Sequence, residues 1–92
     1  MGTFHDHKGE YHGITVVVET RGGELLVGRC DTVTDDAVVM LKLDRYSDKG
    51  TVLGREEWLQ RAAMVGIFPS IDRLVIPRRE VASLRRLGEI EG

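Results

Sequence analysis

Between Gly13 and Asp44 the chain carries three β-rich runs separated by two tight turns, with one glycine, Gly28, inside the middle run. That layout describes a strongly bent three-stranded meander, the core of a small barrel. In the first run, residues 14–20, Ile14, Val16 and Val18 share one face while Thr15, Val17 and Glu19 share the other. Arg21-Gly22-Gly23 closes a hairpin, because adjacent glycines tolerate the positive φ of a primed turn. The second run covers residues 24–33, and Gly28 at its centre lets the backbone bend sharply, as a barrel corner requires. Thr34-Asp35-Asp36 forms the next turn, where an aspartate bonds its own backbone. The third run, residues 37–43, is almost continuously apolar, which predicts burial on both faces or at a subunit contact.

The rest of the chain divides around an insertion at about residues 45–72. Ser47-Asp48-Lys49-Gly50 and Gly54 read as loop. Residues 55–64 are rich in helix formers, and Trp58, Leu59, Ala62 and Ala63 make one apolar stripe. They read as a short helix ending near Gly66, with extended structure around Trp58 as the alternative. A strand over residues 73–76 stops at Pro77, and Pro77-Arg78-Arg79 turns a corner. Residues 80–87 read as a last strand, with helix as the competitor. Residues 1–12 are polar and expected to be flexible, leaving 13–92 as one domain.

Charge and composition exclude several functions. The net charge of −2 argues against a strongly electrostatic nucleic-acid binder. Charge is unevenly placed, though: Arg73, Arg78, Arg79, Arg85 and Arg86 face a single nearby acid, Glu80. Cys30 is the lone cysteine, which leaves no internal disulfide and no cysteine-based zinc cage; inside an apolar strand it reads as a small core residue. No apolar run has the length of a signal peptide or a membrane span, so a cytoplasmic protein is expected.

Few residues offer chemistry. His5, Asp6, His7, Glu10 and His12 have the composition of a zinc or nickel site, but their polar terminal setting favours no fixed metal, and no cofactor is expected. Asp35 and Asp36 are more simply turn formers than a carboxylate pair, and Glu56 and Glu57 suit the positive end of a helix. With no coherent acid, base and nucleophile, the chain is not expected to be an enzyme. Trp58 is a packing anchor or a subunit contact.

The five short strands, the glycine-bent second strand and the Ile76-Pro77-Arg78-Arg79 corner resemble the Sm-like (LSm) family. The resemblance covers about half of the chain. It implies an all-β, strongly bent five-stranded barrel of the Sm-like or SH3-like kind, here with a helical or loop insertion before the last two strands. It also implies a homo-oligomeric ring closed by pairing strand four of one subunit with strand five of the next. On that reading Leu74, Val75, Ile76, Val81 and Leu84 lie at the subunit interface, and Arg78 and Arg79 face the lumen, where they bind single-stranded RNA. The family's Asp-x-x-Met-Asn pattern is replaced here by Thr34-Asp35-Asp36-Ala37-Val38, without asparagine or a stacking aromatic. A structural or protein-interaction ring without RNA is therefore the alternative.

Overall fold

The computed structural model describes residues 11–46 and 53–89. Five strands follow in order: β1 (Thr15–Thr20), β2 (Leu25–Val33), β3 (Ala37–Tyr46), β4 (Ile71–Pro77) and β5 (Val81–Arg86). Helix α1 (Arg55–Val65) lies between β3 and β4, and short 3-10 turns, Arg78–Glu80 and Leu87–Glu89, precede and follow β5. The strands form one sheet in the order β4-β3-β2-β1-β5, antiparallel throughout. The meander and both terminal strands fall where the sequence predicts them, with α1 a helix and β5 a strand, but β3 runs on to Tyr46 and β4 begins at Ile71, each two residues or more beyond its expected bound.

The bend is built from a matched defect in β2 and β3. Register across these strands jumps between Val27, opposite Asp44, and Arg29, opposite Leu41. The extra residue on β3 includes Lys42, the one non-glycine residue with positive φ (51°) among the described residues. Leu43 then lies against Gly28 so closely that a Cβ built on the glycine would stand 2.7 Å from the Leu43 Cα. A bulge sharpens local twist, and the missing side chain lets the two backbones approach.

Two apolar clusters sit on the two faces of the sheet. Val16, Val18, Leu26, Met40 and Leu43 belong to the inner one, while Val17, Leu25, Val27 and Tyr46 pack with Leu59 and Ala62 of α1. Hence β1 is buried on both sides, with Val16, Val17 and Val18 fully enclosed. The near-continuous apolar run of β3 behaves differently: Val38, Met40 and Leu43 are buried, whereas Val39 and Leu41 are only half-buried.

Helix α1 is held at both ends. The Glu57 carboxylate accepts from the Gly54 N–H (3.1 Å), and the Gly66 N–H at φ 87° donates to Ala62 O (2.9 Å). Arg55 donates to Gly23 O (2.6 Å) and to Glu19 Oε2 (2.8 Å), clamping the first turn to the β1–β2 hairpin. Trp58 tilts against Tyr46 with ring centroids 5.4 Å apart, and the Tyr46 hydroxyl donates to Leu53 O (2.8 Å). Trp58 therefore anchors the insertion onto the outer cluster.

Candidate nucleic-acid interface

Three turns that are far apart in sequence meet at one corner of the barrel. The turn after β2 is organised by Thr34, whose hydroxyl accepts from Asp36 N (3.2 Å) and Ala37 N (3.1 Å). Its Asp36 carbonyl accepts from Arg78 N (2.9 Å), which fastens the β4–β5 corner against it. On the other side, Arg21 of the β1–β2 hairpin donates from its backbone to Glu80 O (2.9 Å) and from Nε to Arg79 O (2.7 Å).

Arg78 and Arg79 are exposed, and neither has a carboxylate within ion-pair distance among the described residues. Arg78 Nη1 reaches only the Thr34 carbonyl, at 3.5 Å. Pairing with Glu80 or Glu89 is absent: Glu89 instead meets Arg86 at 3.6 Å. The corner therefore presents guanidinium groups with free hydrogen-bonding forks. Asp35 and Asp36 are exposed on the adjoining turn, so the corner is mixed in sign.

Beside Arg78 lies a cavity of about 330 Å³ whose wall includes Tyr11, Val33, Val81, Ser83 and Leu84. Tyr11 is the aromatic residue that the turn sequence lacked, 67 positions from Arg78 along the chain. Its ring also lies 5.5 Å from the Arg86 guanidinium. Nothing in the local sequence around Tyr11 or Arg21 marks them as neighbours of Arg78; the sheet order alone brings them there.

The five residues expected at a subunit interface occupy β4 and β5, the two edges of the sheet. Their side chains have other duties. Ile76 belongs to the inner core, and Leu74, Val81 and Leu84 pack against it half-buried, leaving Val75 exposed. Any pairing between copies would use the backbone edges of these strands.

Of the histidines, His5 and His7 lie outside the described residues. His12 has Nδ1 2.5 Å from the Asp31 carbonyl, to which it donates. No group of three or more potential metal ligands occurs among the described residues. The Cys30 thiol is buried, and its pKa is pushed up first by that burial and then by the Asp31 charge, the opposite of a reactive thiolate. Among the described residues no helix is long and apolar enough to cross a membrane.

An open, strongly bent five-stranded sheet with a corner of this construction defines a class of small β-barrels. The solved structures say which class. No protein-family model and no curated protein sequence matches the chain. An SmAP (LSm) protein from Methanococcus vannielii superposes with a TM-score of 0.56 at 20% identity, covering 87% of this chain and 89% of that one. A chain of the NatC complex bound to CoA gives a TM-score of 0.58 at 14% identity, covering 85% of this chain and 80% of that one. The fold is Sm-like.

Proposed function

We propose that this chain is a non-enzymatic Sm-like protein that assembles with its own copies through β4 and β5 and binds single-stranded RNA at the Arg78–Arg79 corner. The observation that carries the reading is the pair of exposed arginines, without a carboxylate partner among the described residues, fastened to the turn after β2 by the Arg78 N–H. A guanidinium forks onto phosphate or stacks on a base, and Tyr11 supplies an aromatic face in the adjoining cavity. Assembly follows from the two open edges, which leave backbone donors and acceptors that a neighbouring copy satisfies.

A second reading, a structural or protein-interaction ring without RNA, is favoured by Asp35 and Asp36, whose charges repel phosphate at the same corner. Fluorescence anisotropy with a labelled uridine-rich oligonucleotide separates the two. RNA binding predicts affinity that falls with salt and collapses in the Arg78→Ala, Arg79→Ala variant. An oligomer with no affinity at low salt leaves the scaffold reading in its place.

A further inference from the structure

The link that carries the chain from α1 to β4 forms one wall of a groove of about 630 Å³ beside the outer cluster. That volume lies within the range of small-ligand sites. Trp58, Val65, Ile67 and Phe68 give the groove apolar walls, and Asp44 and Arg61 are its charged residues. None of them belongs to the Arg78–Arg79 corner.

The link itself holds Asp44 in place. Ser70 donates from its backbone to Leu43 O (3.0 Å) and from its hydroxyl to Asp44 Oδ1 (2.8 Å). No donor among the described residues reaches the other carboxylate oxygen. Arg61 is exposed on α1, with no carboxylate within ion-pair distance among the described residues. Two opposite charges thus line one groove without meeting each other. An exposed phenylalanine by itself is ordinary. Here the ring shares its groove with the Trp58 indole and two unmet charges.

This set of groups narrows the ligand. Aromatic walls favour a planar ring, which stacks on them. A carboxylate only accepts, so the ring edge facing Asp44 must donate. Guanine presents two adjacent donors there, its N1–H and its N2 amine, whereas adenine sets an acceptor, N1, beside a single amine. The fork of an unpaired guanidinium suits a phosphate. Planar ring, donor edge and phosphate occur together in a guanine nucleotide.

We propose that the groove between α1 and the α1–β4 link binds a guanine nucleotide. The base lies against Trp58 and Phe68, its N1–H and N2 amine donate to Asp44, and its phosphate meets Arg61. A free mononucleotide and a guanosine within RNA carry the same chemistry, and the test separates these sources.

Trp58 is the chain's single tryptophan, so its fluorescence reports on the groove directly. Guanosine monophosphate (GMP) titrated into the full chain is expected to quench it saturably. Adenosine monophosphate (AMP) is expected to bind at least about tenfold more weakly, because adenine leaves the carboxylate facing an acceptor. Asp44→Asn replaces one acceptor oxygen by a donor and is expected to abolish the preference for GMP over AMP. Arg61→Gln is expected to weaken GMP by about tenfold and to leave guanosine unchanged, a split that a general loss of structure would not produce. Far-UV dichroism of both variants is expected to match the wild type. A uridine pentamer with one central guanosine, compared with the all-uridine pentamer, gives the second arm. Guanosine-dependent binding tighter than that of GMP assigns the groove to RNA, and the reverse order assigns it to a free nucleotide; either supports the site. Absence of saturable quenching by both GMP and the guanosine pentamer overturns the proposal, and so does equal wild-type affinity for GMP and AMP.

Discussion

Gly28 and Leu43 are opposed across β2 and β3 at a distance that excludes a side chain on the glycine. The Leu43 backbone would have to retreat before a methyl group fitted. Gly28→Ala is therefore expected to destabilise the fold by about 3 kcal/mol, the upper end of overpacking costs, because strand backbone and not a flexible tip must move. Thermal dichroism is expected to show a fall in Tm of more than about 10 °C. Gly22→Ala is the control: its nearest neighbour is 3.8 Å away, and its melting curve is expected to stay close to wild type.

Removing negative charge beside the arginine corner probes the binding proposal from the opposite direction to alanine scanning. Asp35→Asn and Asp36→Asn keep the size of each side chain while discharging the turn after β2. Each is expected to raise affinity for a single-stranded oligonucleotide by about two- to fivefold at low salt. An unchanged affinity in both, measured by anisotropy, would place the ligand elsewhere on the barrel.

The Arg55 clamp predicts a modest, salt-dependent loss. Its guanidinium and the Glu19 carboxylate are each 38% exposed, so screening limits the ion pair, while the bond to the Gly23 carbonyl adds a second tie. Arg55→Ala is expected to cost about 1 kcal/mol in urea unfolding, and part of that cost is expected to disappear in 1 M salt.

Burial of Cys30 sets a pH dependence whose sign is fixed. Its folded pKa lies above the ordinary 9.0, chiefly through desolvation and secondarily through Asp31. Below the unfolded value both states keep the proton, and this group leaves stability unchanged. As pH rises past about 9, the unfolded thiol ionises while the folded one does not, so stability falls until the raised folded pKa is passed. Cys30→Val is expected to reduce the drop in urea midpoint between pH 8 and pH 10. In the native protein the thiol is expected to resist alkylation until denaturant is added.

Local pattern made most of the elements readable. Alternation in β1, paired glycines at the hairpin, and Pro77 after β4 each act within a few residues. The helix over residues 55–64 was legible from its formers and matches Arg55–Val65. The polar end of β3 was not. Asp44 and Arg45 conceal a strand that runs on to Tyr46, held there by pairing with Leu25 and Leu26. The candidate interface was legible only in part. Arg78 and Arg79 stood out as a cluster, but nothing in the local sequence shows that Glu89 turns to Arg86 and away from them. The neighbours Arg21 and Tyr11 come from the other end of the chain, where only strand order determines proximity.

The bulge at Lys42 also resets the inward-facing positions of β3. Before it, the even-numbered Val38 and Met40 point into the inner core; after it, the odd-numbered Leu43 does. One residue thus changes the parity of the strand. Deleting it would turn the later half of β3 inside out, moving Leu43 off Gly28 and carrying Tyr46 away from the face that receives the helix. A relative without that residue would need the reverse hydrophobic alternation downstream to build the same barrel, so an alignment that ignores the bulge would misjudge which of its side chains are core.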